Sequence, residues 1–238
     1  MKTVTGSNGG RYYVVNEEED IKLPSVTTIL GNMSDKSGLD NWIKRVGEQK
    51  AKEISTFAAN RGTFMHCLHE HYLQNRFVEP VENPLQQAFK LALAECNTLT
   101  KEEIECGKNL FMQFHSNSDF YERISEVLYQ EIPVWSMKGG GYAGRLDLTI
   151  KSTKDLVKII DFKSSKKPKK EEWIEGYKMQ TAAYSVALHE QYGIFPDLTE
   201  IWISCESGDV QMFEMTRKDI MHYFEKFHEL VVKYHETY

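Results

Sequence analysis

Residues 141–165 read GYAGRLDLTIKSTKDLVKIIDFKSS. Two runs rich in Val, Ile, Leu, Phe and Thr, 142–150 and 156–163, flank the polar segment Lys151-Ser152-Thr153-Lys154-Asp155. Apolar β-formers on either side of a polar break predict two strands joined as a hairpin. Side chains alternate faces along a strand, so Arg145, Asp147 and Thr149 are expected on one face of the first. On the second, Val157, Ile159, Asp161 and Lys163 share a face, with Ile160 and Phe162 on the other. Pairing then brings two carboxylates and a lysine together at one end of a sheet.

A lone Asp-x-Lys is ordinarily a surface ion pair worth no more than about 1 kcal/mol. Here Asp147 and Asp161 each interrupt an otherwise apolar strand, where a charge is costly unless paired or metal-bound. Hard divalent cations such as Mg²⁺ take oxygen ligands from one or two carboxylates and leave room for substrate phosphate oxygens. Such a cation lowers the pKa of a coordinated water, and Lys163 can polarise that water or neutralise charge building on phosphorus.

The order of motifs adds to this. Gly144-Arg145-Leu146-Asp147, Asp161-Phe162-Lys163-Ser164-Ser165 and Gln180-Thr181-Ala182-Ala183-Tyr184 resemble the GxxD, (D/E)xK and QxxxY series of PD-(D/E)XK nucleases. The likeness is to the RecB-like branch, with its mitochondrial genome maintenance exonuclease and related phage exonucleases, and it spans residues 24–190. Upstream, Arg61-Gly62-x-x-x-His66-x-x-x-Glu70 resembles that branch's first motif. The resemblance implies an α/β, restriction-endonuclease-like mixed sheet flanked by helices, and Mg²⁺- or Mn²⁺-dependent cleavage of DNA, often at single-stranded ends. It implies that His66, Asp147, Asp161 and the Phe162 backbone carbonyl hold the metal, with Asp147, Asp161 and Lys163 catalytic. Glu131, on the strand before GxxD, is expected to support the site, as are Glu70, Gln180 and Tyr184. Arg145 inside GxxD departs from the usual pattern and is expected to touch the scissile strand or a carboxylate. The run Lys166-Lys167-Pro168-Lys169-Lys170 offers a local phosphate track through Lys166, Lys167, Lys169 and Lys170.

Bulk properties agree with such a chain. The 238 residues, 41% hydrophobic and 12% aromatic, suffice for one α/β domain. A mainly helical part is expected over 1–120, and the sheet, motif helix and terminal helix over 121–238. The net charge of −6 supplies no global field for nucleic acid, so phosphate attraction has to be local. No apolar run approaches a membrane span, and the start MKTVTGSNGGRYYVV carries neither a signal-peptide core nor a transit pattern. A cytoplasmic location, in a bacterial host if phage-encoded, is the expectation. Cys67, Cys96, Cys106 and Cys205 fit no linear zinc spacing and read as small buried hydrophobes. Only Cys205 follows the nuclease motifs, so no iron–sulfur cluster is expected.

Elsewhere the pattern predicts a strand over 11–15, a helix over 26–30 capped by Ser25 and stopped by Gly31, and an amphipathic helix over 39–59 broken at Asn60-Arg61-Gly62. A helix over 63–75 carries Phe64, Cys67, Leu68 and Tyr72 as its core stripe. Helices over 85–97 and 102–115 follow, with Phe111, Phe114 and Phe120 read as core. A strand over 126–135 leads to Gly139-Gly140-Gly141, read as a flexible turn. Helix 171–191 places Trp173, Tyr177, Gln180, Tyr184 and Leu188 on one stripe. A hairpin around Ser207-Gly208-Asp209 and a Thr216-capped helix over 217–234 close the chain.

The function expected is metal-dependent DNA hydrolysis by an exonuclease acting on single strands. A flap or duplex-end nuclease, and a non-catalytic nucleic-acid-binding descendant, are the alternatives.

Overall fold

The computed structural model describes residues 1–6, 9–16 and 18–238. Three short strands, β1 (Thr3–Thr5), β2 (Arg11–Asn16) and β3 (Ile21–Pro24), open the chain. Five helices follow: α1 (Val26–Met33), α2 (Ser37–Val46), α3 (Glu48–Leu73), α4 (Pro84–Glu95) and α5 (Lys101–Asn117). Then come β4 (Ile124–Ser136), β5 (Tyr142–Ser152), β6 (Val157–Ser165), α6 (Glu175–Tyr192), β7 (Leu198–Cys205), β8 (Val210–Thr216) and α7 (Arg217–Thr237).

The predicted hairpin is β5–β6, in register with Thr149 opposite Ile159 and Leu148 opposite Ile160. It forms the middle of a five-stranded sheet ordered β4-β5-β6-β7-β8. Only β6 and β7 are parallel, and α6 makes the crossover that a parallel pair requires. The result is the expected mixed sheet flanked by helices.

Each face of the sheet carries its own core. Helices α3, α4 and α5 cover one face with an aromatic-rich cluster that includes Phe64, Phe111, Phe114, Phe120, Phe162 and Trp202. Helices α1, α6 and α7 cover the other around Ile29, Leu146, Ile159, Ala183, Phe227 and Val231. The aromatics of α5 are core, as read. Helix α6 packs closely because Ala182, Ala183 and Ala187 bury no bulk. Thr216 and Asp219 exchange capping-box bonds at the start of α7. The β1–β3 sheet, of which the sequence announced only the middle strand, packs Tyr13 and Leu23 on Ala143 of β5. The backbone bridge of Ser25 to Ala143 ties it there.

Several boundaries differ from expectation for identifiable reasons. Gly31 does not stop α1, which runs on to Met33 and is capped at Ser34. The break expected at Asn60-Arg61-Gly62 falls instead at Gly47, whose φ of 86° ends α2 and begins α3. Asn60 donates to Glu103 at 2.7 Å and buried Arg61 pairs with Glu206, so tertiary partners satisfy the polar residues that propensity marked as a breaker. Trp173 lies in a short 3₁₀ turn before α6 and is exposed, outside the helical stripe. The triple-glycine turn is not loose: His228, Val232 and His235 of α7 pack on it, and His235 Nε2 lies 2.7 Å from the Gly141 carbonyl.

Candidate active site

The site forms where the β5–β6 ladder gives out. Pairing runs from Lys151 opposite Val157 to Leu148 opposite Ile160 and ends there. One residue farther, the Asp147 carboxylate accepts the Phe162 N–H at 2.9 Å in place of a backbone carbonyl. The face alternation of β5 also breaks here. Leu146 packs in the α6–α7 core, and so does Ile159, the partner of Thr149, while Leu148 packs under α3 and α5. Arg145, Asp147 and Thr149 therefore do not share the single face expected of them. Across the ladder, between the pairs Gln130–Leu148 and Ile132–Leu146, Glu131 holds a left-handed φ of 49°. Such geometry is strained for a residue with a side chain.

Helix α3 brings His66 over this opening, its Nδ1 3.6 Å from Asp147 Oδ2. One donor atom each from His66, Glu131 and Asp147 lies within 4.8 Å of the others. Glu131 also faces Arg145, whose Nε approaches its carboxylate at 2.8 Å and donates to its backbone carbonyl at 3.0 Å. Burial, reinforced by the charges of Asp147 and Glu70, pushes the Glu131 carboxyl up to about 8.

Asp161 and Lys163 share the expected face of β6. The Lys163 ammonium lies 2.7 and 2.6 Å from the two oxygens of Asp161 and 5.2 Å from the centre of the Tyr177 ring. Burial raises the pKa of Asp161, against the pull of Lys163 and with the push of Asp147. Burial opposes the charge on Lys163, yet Asp161 and Asp147 carry its pKa upward. The lysine is therefore held protonated.

From α6, Gln180 Nε2 donates to the Tyr184 hydroxyl at 3.1 Å. Tyr184 lies against Gly144, where an added Cβ would come within 2.3 Å of the ring. The first residue of the GxxD motif thus has to be glycine for the last residue of QxxxY to fit.

His66, Glu131, Arg145, Asp147, Lys163, Gln180 and Tyr184 line one cleft, together with Glu70, Phe162 and Ser164. A larger hollow along α5 at Cys106 and Gln113 contains none of them. The lysine run lies just beyond the residues that line the cleft. Lys166, Lys167 and Lys170 are exposed beside it, Lys170 sits over the exposed Trp173 ring, and the Lys169 N–H is spent on Gln211 at 2.7 Å. None of the four is among the lining residues. Arg11, Tyr13 and Thr27, from the N-terminal sheet and α1, do line it and carried no sequence signal. Tyr177 was visible only as part of a helical stripe.

The donor set fits a divalent cation. His66, Glu131 and Asp147 offer an imidazole and carboxylate oxygens, with Glu131 resisting ionisation while no cation balances its neighbours. Glu131, read from sequence as support, stands in this group. Asp161 stands outside it, its Oδ1 accepting from Lys163.

A family model described as the PD-(D/E)XK nuclease superfamily matches residues 41–233. No curated protein matches the chain. Among solved structures, the chain is similar to a candidate exonuclease from Eubacterium rectale, at 14% identity and a TM-score of 0.44, over 66% of this chain and 61% of that one. It is also similar to the protein SSO0001, at 14% identity and a TM-score of 0.33, over 71% and 73% of the two chains. The chain thus spans about three fifths of the length of the first of these (61%).

Proposed function

The chain belongs to the PD-(D/E)XK nuclease superfamily, and on that premise we propose that it is a Mg²⁺- or Mn²⁺-dependent exonuclease hydrolysing DNA from single-stranded ends. The observation that carries this reading is the meeting, in one cleft, of a His66–Glu131–Asp147 donor group with a lysine held charged by Asp161. The preference for single strands rests on the resemblance of the ordered motifs. Residues 1–238 act as one nuclease domain in this reading, supported by the docking of β3 and α3 on the sheet.

A divalent cation bound by His66, Asp147 and Glu131 supplies Lewis-acid activation of water and phosphate. Asp161 fixes Lys163 so that its ammonium faces the position of the scissile phosphate, where negative charge grows as water adds in line to phosphorus and the P–O bond to the leaving sugar breaks. Asp147 has a double duty, since one of its oxygens also holds the Phe162 N–H and so fixes the β6 backbone beneath the substrate. Arg145, its side chain 60% exposed, is placed to neutralise a neighbouring phosphate at the cleft mouth. Gln180 and Tyr184 shape the inner wall.

The test is time-resolved cleavage of end-labelled single-stranded, duplex and flap DNA in EDTA, Mg²⁺ and Mn²⁺, with Lys163→Ala beside wild type. Metal-dependent shortening of single strands from an end, absent in the variant, is the expected result. DNA binding without cleavage in either metal would overturn the enzymatic reading, and faster cleavage of flaps or duplex ends would overturn the substrate.

A further inference from the structure

Four side chains unused by the nuclease reading meet where α3 passes the end of α4. Cys67 and His71 stand one turn apart on α3. Glu95 is the last residue of α4 and Cys96 is its C-cap. One donor atom each from Cys67, His71 and Glu95 lies within 4.8 Å of the others. His71 Nε2 is 3.0 Å from Glu95 Oε2, and the Cys67 thiol lies close enough to Cys96 and Glu95 to feel both electrostatically. The two cysteines are 5% and 7% exposed, yet both border the cleft wall with Glu95. In the linear sequence these residues form no zinc pattern; only the crossing of two helices assembles them.

The chemistry of this set differs from that of the cleft floor. Mg²⁺ prefers oxygen ligands and has little use for thiols, whereas two thiolates, an imidazole and a carboxylate make a tetrahedral set suited to a softer ion. We propose that Cys67, Cys96, His71 and Glu95 form a structural zinc site that pins the end of α4 to α3, distinct from the His66–Glu131–Asp147 group. Binding replaces the two S–H bonds with Zn–S bonds and releases two protons to solvent. His71 contributes a neutral imidazole nitrogen, and the Glu95 carboxylate, now shared with His71, turns to the ion. Nothing is oxidised or reduced. The consequence is a fixed wall beside Glu70 and His66, since Cys67 follows His66 directly on the same helix.

The test uses the full chain, stripped of metal under reducing conditions and titrated with Co²⁺. The expected result is near-ultraviolet thiolate-to-cobalt absorption with intense tetrahedral bands, saturating at one ion per chain and abolished by Zn²⁺. Cobalt on the carboxylate group of the cleft gives no thiolate band, so Glu131→Gln should leave the signal unchanged. Cys96→Ser should remove most of it, and the part-exposed His71→Gln should weaken Co²⁺ binding by about a hundredfold, at or beyond the cost of losing an outer-sphere partner. Should the buried Cys67→Ser fail to fold, these two variants still decide the matter. Absence of the thiolate band in wild type would overturn the proposal. So would a Cys67–Cys96 disulfide found by peptide mapping of the freshly isolated chain.

Discussion

Lys158 and Lys163 stand on the same strand, β6, and each is paired with a buried carboxylate. Lys158 reaches across to Glu200 of β7, whose other oxygen accepts the Trp202 indole N–H at 2.8 Å. That pair lies on the face packed by α3 and α5, with the Lys158 and Glu200 side chains 11% and 2% exposed. Lys163 pairs with Asp161 on the opposite face and at the other end of the strand. Beyond that pair lie Asp147, Glu131 and Glu70, three carboxylates beside which the described residues place Lys163, Arg145 and two half-buried histidines. A lysine beside an acid is thus a poor signal of chemistry. What separates the two is the surplus negative charge around one and the closed, fully partnered surroundings of the other.

The sharpest way to break this comparison is to remove each lysine in turn. Lys163→Ala should lower the single-turnover cleavage rate by about a hundredfold or more and, since it too leaves a buried carboxylate without its counter-charge, should also lower the melting temperature. Lys158→Met should leave cleavage near wild type but cost about 3–5 kcal/mol of stability, because Glu200 stays buried without its counter-charge. Adding Glu200→Gln, which keeps an acceptor for Trp202, should return most of that loss in urea denaturation. Equal activity losses in the two single variants would erase the distinction.

A smaller effect is expected at the wall of the working end. Gly144→Ala places a methyl group 2.3 Å from the Tyr184 ring, an overpacking that costs about 1–3 kcal/mol and drags Gln180 with it. Cleavage rate and thermal midpoint should fall together. A wild-type rate would mean that Tyr184 and Gln180 have no part in the site.

The third test uses pH. The folded-state pKa of Glu131 is raised, to about 8, above its ordinary value of 4.5, so the folded chain holds a proton that the unfolded chain has released. Its contribution to metal-free stability is complete below pH about 4.5 and is lost as pH rises to about 8. Glu131→Gln should flatten that decline. Because a cation must displace the same proton, Mn²⁺ affinity of the wild type should rise over this range. The opposite sign in calorimetry would exclude a protonated Glu131. On the acid side, buried His69, stacked on Phe162 at 4.0 Å and bonded to the Tyr121 hydroxyl, is kept neutral, its pKa well below 6.5 through burial. Stability should therefore fall as pH drops through 6.5.

The hairpin was readable because two acids interrupt period-two apolar runs, a pattern that few alternatives explain. The resemblance of the first motif pointed to His66, whose Nδ1 lies 3.6 Å from Asp147 Oδ2. Residue order alone could not show that Asp161 would be bonded to Lys163, the next residue on its face. Glu131 moved from support into the donor group for a related reason: its left-handed backbone and the break in β5 alternation are properties of strand pairing, not of either strand alone. The continuity of α3 through Asn60-Arg61-Gly62 was hidden because its support comes from Glu103 and Glu206, far along the chain. The lysine run looked like a phosphate track by charge and nearness to Lys163. Yet the strand ends at Ser165, and none of the four lysines that follow lines the cleft.

The order of strands has a bearing on how the molecule comes together. Every strand of the large sheet pairs with its neighbour in sequence, so β4, β5 and β6 are joined by short turns and close at small entropic cost. Asp147 and Asp161 are delivered by one such turn. His66 is not: α4, α5 and β4 separate it from Asp147 in the chain, and long-range contacts of this kind form slowly. During refolding, the two aspartates accordingly meet while the imidazole is still absent, and catalytic competence waits on the docking of α3. Recovery of nuclease activity should lag behind recovery of the sheet's circular dichroism.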